Sequence, residues 1–383
     1  MTPSTSLSRT ENEIDLSIPF TDLSIQWRQI EGNALPEIRR LFETSAFCLG
    51  PFVERFEQAA ADYLGIAHAI GVNSGTSALH LALIAAGIGP GDKVLVPSFT
   101  FVATAWGVLY VGATPVLCDV EEESGNIDLA DAERRIDTAV KAIIPVHLYG
   151  QPADMAGVMA FAARHQLVVV EDVAQAIGAR FDGRCVGTFG LFGCYSFYPA
   201  KNLGAAGEAG LVVTADEAIA RRVRALRHHA QSERYVHAEL GFNYRMGGMQ
   251  GLVLSHKLPL LDGWTEIRRK LACAYQERLD GLPLSLPQVV HYDHVFHLYV
   301  VRSKDRDPLQ DYLRRAGIET GLHYPIPLHA QPALAPFVSD PQSFPVADRY
   351  AQECLSLPLF IGMTEAQVER VCEAIRQFFG SSS

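Results

Sequence analysis

The 383-residue chain is short of the features that mark several large protein classes. It has seven cysteines (Cys48, Cys118, Cys185, Cys194, Cys273, Cys354 and Cys372), and no two form a C-x-x-C pair. Scattered thiols in odd number support neither a disulfide framework nor a zinc site, so no metal is read, and they suit a reducing compartment. Basic residues are outnumbered, 32 Lys+Arg against 43 Asp+Glu, for a formal net charge of −11. That balance speaks against a chain that coats nucleic acid or an anionic membrane. The most apolar run, Ala78 to Gly89, falls short of the roughly 18 residues a membrane-spanning helix needs. The start, MTPSTSLSRTENEIDLS, lacks a basic stretch followed by an apolar one, so no secretory signal is read and a soluble cytoplasmic protein is expected. There is no internal repeat and no low-complexity block.

With 48% hydrophobic and 20% charged residues, the composition is that of an ordinary globular protein, and the length suits one large and one small domain. Residues 1–18 are polar and read as a flexible tail. In Pro51–Leu64 the apolar positions Phe52, Phe56, Ala59, Ala60, Tyr63 and Leu64 recur at helical spacing. Short β-branched runs follow at Lys93–Val96, Pro115–Val120, Ala142–Val146, Leu167–Val170, Cys194–Phe197 and Gly210–Thr214, with helical stretches such as Ser77–Ala86 and Asp154–His165 between them. Strand alternating with helix predicts an α/β domain with a mostly parallel sheet, placed at 19–255. A polar helix, Trp264–Leu279, opens a smaller α+β domain at 256–383. Its last helix is bounded by a Thr364-x-x-Gln367 capping box and by Gly380, with Val368, Val371, Cys372 and Ile375 on one face.

Three segments carry chemistry. Gly71-Val-Asn-Ser-Gly-Thr-Ser-Ala-Leu-His80 is a small-residue turn opening into an apolar helix, whose free N–H groups suit a phosphate. It lacks the G-K-[ST] of a P-loop, and read alone a plain capped helix start is the better reading. Val169-Val-Glu-Asp172 puts a carboxylate at the carboxyl end of a strand, either as a ligand-facing acid or as an N-cap or salt-bridged acid. Cys194 to Gly210 holds Lys201 among aromatics and glycines with almost no other charge. A solvated lysine is the ordinary case, but desolvation here would lower its pKa and make it an amine nucleophile. The glycines run G-x-x-G-x-x-G, which is not the dinucleotide fingerprint. One ligand needs all three parts: pyridoxal 5′-phosphate, with its phosphate, its protonated ring nitrogen and its lysine-reactive aldehyde.

The chain then resembles the DegT/DnrJ/EryC1/StrS family of sugar aminotransferases from about Phe47 to Phe379. The resemblance rests, in family order, on SGTSAL (74–79), VPSFTFVATA (96–105), PVHLYGQPADM (145–155), VEDVAQAIGA (170–179), SFYPAKNLGAAGEAG (196–210), GFNYRM (241–246), FHLYV (296–300) and GLHYPIPLHAQPA (321–333). It implies the aspartate-aminotransferase fold (fold type I) and a role for each matching position. Lys201 bonds the cofactor aldehyde, Asp172 pairs with the ring nitrogen, and Gln175 approaches the phenolic oxygen. Phe101 stacks on the ring. Gly75, Thr76 and Ser196 hold the phosphate, and Asn243 reaches it from a partner subunit, which implies a homodimer with shared active sites. Tyr198, His323 and Tyr324 border the sugar, as in members that aminate C3 of nucleotide-linked 3-keto-6-deoxyhexoses, and Arg234 contacts the diphosphate. His323 and His329 read equally well as loop histidines. Ala200 and Gly247-Gly248-Met249 depart from the commoner pattern and blur the subfamily, whereas Lys201 favours amino transfer over dehydration. The basic stretch Arg221–His229 reads as a solvated helix face.

The expectation is a ping-pong aminotransferase taking nitrogen from L-glutamate to a nucleotide-linked keto sugar. The alternatives are a 4-keto sugar or keto-cyclitol acceptor, or a regulatory protein that binds the cofactor without turnover.

Overall fold

The computed structural model describes residues 17–288, 293–338 and 340–380. The first 16 residues of the expected tail lie outside the described residues. Its end does not behave as a tail: Ile18 is buried and pairs with Ile318.

A seven-stranded sheet carries the site. Its strands are β1 (His68–Val72), β2 (Lys93–Pro97), β3 (Thr114–Cys118), β4 (Val140–Ile143) and β5 (Val168–Asp172), followed after the small hairpin β6 (Arg180–Phe181) and β7 (Arg184–Cys185) by β8 (Phe192–Ser196) and β9 (Gly210–Thr214). The order is β1-β9-β8-β5-β4-β2-β3, and only β9 runs against its neighbours. Successive residues of a strand face opposite layers. Leu95, Val169 and Val213 join one apolar cluster, and Val94, Val96, Val170 and Val212 join the other. Both faces are therefore covered, which is why the strands read as unbroken apolar runs.

Helices α1 (Ser24–Thr44) and α2 (Pro51–Leu64) precede β1, and α3 (Gly75–Ala85), α4 (Ala103–Tyr110), α5 (Leu129–Arg135) and α6 (Met155–His165) alternate with the strands. The α3, α4 and α7 (Glu217–Leu226) side chains fill one layer, and α2 and α6 fill the other. The hairpin β10 (Gln231–Glu233) and β11 (Val236–His237) stands out from this body with its tip exposed. After α8 (Gly248–Lys257), the helix α9 (Leu261–Leu279) leads to the pair β12 (Tyr299–Arg302) and β13 (Cys354–Leu357), with α10 (Arg306–Arg315), α11 (Pro345–Glu353) and α12 (Glu365–Gly380) around it. Tyr275, Tyr299, Leu313, Leu355 and Val371 share a third cluster with Ile18. The capping box is formed: Gln367 N donates to Thr364 Oγ1 (3.2 Å) and Thr364 N to Gln367 Oε1 (2.9 Å).

The stretch Arg221–His229 is only partly a solvated face. Helix α7 stops at Leu226, and Arg227 turns inward, where Nη1 donates to Glu57 Oε1 (2.5 Å) and to the Gly71 carbonyl (2.6 Å). A half-buried acid and a buried carbonyl, invisible in a local reading, claim that cation. Among the described residues, no helix is long and apolar enough to cross a membrane.

Candidate active site

Loops at the carboxyl ends of β2, β5 and β8 and the start of α3 converge on a cavity of about 570 Å³. Its lining includes Gly75, Thr76, Phe101, Asp172, Gln175, Ser196, Tyr198, Lys201, His323 and Tyr324.

The start of α3 is shaped by small residues. Ser74 caps it, its Oγ accepting from Ser77 N at 3.1 Å. A Cβ on Gly75 would stand 2.7 Å from Ser196 Cβ, and one on Gly210 would stand 2.4 Å from the Ser74 backbone. Only glycine lets the helix N-terminus lie this close to the ends of β8 and β9, and Gly75 and Thr76 of its first turn line the cavity.

The acidic pair on β5 divides its work, because neighbours on a strand point opposite ways. Glu171 is wholly buried and accepts from the backbone N–H groups of Gly187, Phe189 and Gly190 at 2.6–2.7 Å. It also faces His147 Nε2 at 3.2 Å; since His147 Nδ1 accepts from Ala153 N, the Nε2 side carries the proton. Asp172 faces the cavity. It accepts from Thr104 Oγ1 (2.8 Å) and Ala174 N (3.1 Å), and among the described residues no basic side chain forms an ion pair with it. Burial raises its pKa, opposed by those two hydrogen bonds and by the charge of Lys201. A buried carboxylate without a protein cation is poised for a cation brought by a ligand.

Lys201 follows β8 in a tight turn, its N–H donating to the Tyr198 carbonyl at 2.8 Å. A Cβ on Gly204 would lie 2.0 Å from the Pro199 carbonyl oxygen, so this turn requires glycine. Desolvation lowers the Lys201 pKa from 10.5 to about 8, with Asp172 pulling the other way. Its Nζ lies 3.4 Å from Nε2 of His297.

On the open side, Phe101 is 53% exposed, and its ring lies 5.7 Å from that of Tyr324. Gln175 Oε1 accepts from Tyr149 N (2.6 Å), and its Nε2 donates to the Tyr324 hydroxyl (2.9 Å). His323 Nδ1 meets Ser356 Oγ at 2.8 Å, and burial lowers its pKa to about 4.

Two expected residues are not brought to this cavity. Asn243 is exposed and accepts from Arg245 Nη2 at 2.7 Å. Arg234 stands at the tip of the β10–β11 hairpin, over the Tyr235 ring at 5.2 Å. His329, an open case in the sequence, is a core histidine: buried, bonded to Ser98 Oγ (2.7 Å) and Asp348 Oδ1 (3.0 Å), and stacked on Phe344. The departure at Gly248 has a packing cause, since a Cβ there would lie 2.0 Å from the Ala46 carbonyl oxygen. The sequence reading passed over Thr104, His297 and the buried, cavity-lining Arg268. Thr104 and His297 lay inside quoted motifs, but nothing local marked them as neighbours of Asp172 and Lys201. Among the described residues, no cluster of three or more His, Cys, Asp or Glu could hold a metal ion.

These parts fit pyridoxal phosphate group by group. The glycine-lined helix start offers N–H donors where a phosphate would sit, the unpaired Asp172 suits the protonated ring nitrogen, and the desolvated Lys201 amine suits the aldehyde. Fold and site together define a fold-type-I pyridoxal-phosphate enzyme. The chain belongs to the DegT/DnrJ/EryC1/StrS aminotransferase family, whose model matches residues 28–376.

It is 45% identical over 363 residues to the UDP-N-acetyl-3-dehydro-alpha-D-glucosamine 3-aminotransferase of Acidithiobacillus ferrooxidans, covering 94% of this chain and 98% of that one. It is 43% identical over 368 residues to a pleiotropic regulatory protein of Geobacillus stearothermophilus, covering 95% and 99%. Among solved structures, S. venezuelae DesV in complex with a ketimine intermediate superposes with a TM-score of 0.92 at 42% identity, covering 94% of this chain and 98% of that one.

Proposed function

We propose that the protein transfers an amino group from L-glutamate to the 3-keto carbon of a nucleotide-linked deoxyhexose, as a homodimer with shared sites. One observation carries the reading: Lys201, Asp172 and the α3 start face the same cavity as the His323–Tyr324 pair, leaving room for cofactor and sugar together. The A. ferrooxidans relative, named as a UDP-sugar 3-aminotransferase, supports the 3-keto choice.

Pyridoxal phosphate, when bound, supplies an aldehyde that carries the amino group and a ring that accepts the electron pair from the donor carbon. The protein does the rest. Gly75, Thr76 and Ser196 bind the phosphate, and Phe101 covers the ring. Asp172 keeps the proton on the ring nitrogen, while its own hydrogen bonds from Thr104 and Ala174 hold it in place. Gln175, fixed by Tyr149 N, stands beside the phenolic oxygen. Lys201 first holds the cofactor. Its freed amine, neutral more readily than an ordinary lysine, would then take the proton from the donor carbon and hand it on to the cofactor. Tyr198, His323 and Tyr324 orient the sugar.

Asn243 and Arg234 act across the dimer in this reading, on the partner's phosphate and the nucleotide diphosphate. Their position outside their own chain's cavity supports this, as do the exposed apolar side chains Phe42, Phe47, Tyr235 and Leu240, which a second copy would cover. The name of the Geobacillus relative favours a regulatory reading for that protein. Here the convergence of Lys201, Asp172 and Gln175 on one cavity favours turnover.

The test is the absorption spectrum of the cofactor-loaded protein with L-glutamate, then with a panel of 3-keto and 4-keto nucleotide sugars and a keto-cyclitol. Glutamate should bleach the cofactor band, and the 3-keto sugar should restore it fastest. A band unmoved by any amino donor would sink the assignment.

A further inference from the structure

One stretch shared with the family, FHLYV (296–300), has no task in the assignments above. Its histidine stands against the reactive lysine: His297 Nε2 lies 3.4 Å from Lys201 Nζ, and both residues line the cavity. The segment around it is held from several sides. Val295 O accepts from Asn202 Nδ2 (2.9 Å), Val295 N donates to Gly150 O (3.0 Å) and Leu298 N to Tyr149 O (3.3 Å). Arg268, buried and without an ion-paired acid among the described residues, donates through Nη1 to the carbonyls of Phe296 (3.1 Å), His297 (3.4 Å) and Leu359 (3.0 Å). The backbone at Phe296 is left-handed, with φ 44°. His297 is thus placed by its surroundings rather than by its own side chain, whose Nδ1 is buried with no hydrogen-bond partner. An unpaired buried nitrogen costs stability, and such costs collect where function needs them.

We propose that His297 is a catalytic partner of Lys201: its neutral imidazole accepts one N–H of the lysine amine at Nε2 and so aims the Nζ lone pair at the donor carbon's hydrogen. The proposal rests on the aminotransferase reading. A lysine amine released from the cofactor has one lone pair, two N–H bonds and free rotation about its last bond. Tying one N–H to a fixed acceptor selects the rotamer in which the lone pair faces the substrate. The proton moves from carbon to Nζ and back, and His297 keeps its own proton on Nδ1 throughout. Burial, Lys201, Arg268 and His323 all disfavour the charged imidazole, so it stays an acceptor.

Three variants test this: His297→Leu removes the acceptor, His297→Asn keeps polarity but stops short of Nζ, and His297→Gln returns an oxygen near the place of Nε2. In cofactor-free protein, the pH dependence of Lys201 acetylation by acetic anhydride, followed by peptide mass spectrometry, reads the lysine's ionisation. The Leu and Asn variants should move its midpoint down by about one unit, because the charged amine loses an acceptor, while Gln should leave it near wild type. In the loaded enzyme, Leu and Asn should lower kcat about 10- to 100-fold with little change in KM. They should also raise the isotope effect from Cα-deuterated glutamate, and Gln should recover most of both. Midpoints and isotope effects that stay at wild-type values in Leu and Asn overturn the proposal. A wild-type cofactor band that ignores glutamate overturns the aminotransferase reading instead, and the midpoint series still decides the pairing.

Discussion

Thr104 Oγ1 donates a 2.8 Å hydrogen bond to Asp172 Oδ2, joining the first turn of α4 to the last residue of β5. Thr100 Oγ1 lies 3.2 Å behind it, so the acid has a second polar layer. Hydrogen bonds to a charged group are worth about 1.5–3 kcal/mol. Thr104→Val keeps the volume and removes the donor, so the Asp172 pKa should rise further and kcat should fall about tenfold. Asp172→Asn removes the charge and should cost on the order of 100- to 1000-fold in kcat with bound cofactor retained. Steady-state kinetics beside the absorption spectrum check both; a Val variant with unchanged kcat would contradict the positioning role.

Gly75→Ala addresses the proposed phosphate cradle. The added methyl would stand 2.7 Å from Ser196 Cβ, closer than real contacts allow, and the α3 start must move off β8. Overpacking of this kind costs about 1–3 kcal/mol. The loss should fall on cofactor affinity, with Kd raised at least about tenfold and the fold retained, as measured by equilibrium titration of the cofactor-free protein.

Lys201 also makes the stability of the cofactor-free protein depend on pH. Its folded pKa of about 8 lies below the ordinary 10.5, so the fold disfavours the charged amine. The full cost is present below pH 8. Between about 8 and 10.5 the unfolded chain binds more protons than the folded one, and stability rises with pH. Lys201→Met should therefore be more stable than wild type at pH 7, by urea midpoint, with the gap narrowing across that window and flat above it. Lys257, also lowered to about 8, is common to both proteins and cancels in the difference.

If the proposed dimer shares its active sites, defective chains should complement one another. Lys201→Ala and Asn243→Asp homodimers should both be strongly impaired, the second because a carboxylate would face the phosphate. Mixing and refolding them at equal amounts should restore about one quarter of wild-type activity, since half the dimers are mixed and each carries one intact site. No recovery would place Asn243 outside the partner's site.

The segments that act within a few residues of themselves could be read before any coordinates. The turn at 74–76 and the end of β5 are local events, a helix start and a strand end, and both proved to line the cavity. The expected strand Cys194–Phe197 forms as Phe192–Ser196, and the expected helix at Ser77 begins at Gly75, shifts of one or two residues. Other roles depended on distant partners. Arg227 looked like part of a solvated face until Glu57 and Gly71, more than 150 positions earlier, drew it inside. His329 stood open between a sugar-bordering and a loop histidine until Ser98 and Asp348 enclosed it.

By itself, then, the order of residues determined an α/β chain with a small-residue helix start, an acid at a strand end and a lysine in a glycine turn. Helical and strand periodicity, capping and glycine freedom act over a few bonds, so they are written locally. Only the tertiary structure decided which neighbours tune those groups. It set Thr104 against Asp172 across 68 positions and His297 against Lys201 across 96, and it withdrew Lys201 from water. Desolvation and hydrogen-bond geometry depend on atoms that meet only when the sheet, α4 and the Val295–Leu298 segment pack together.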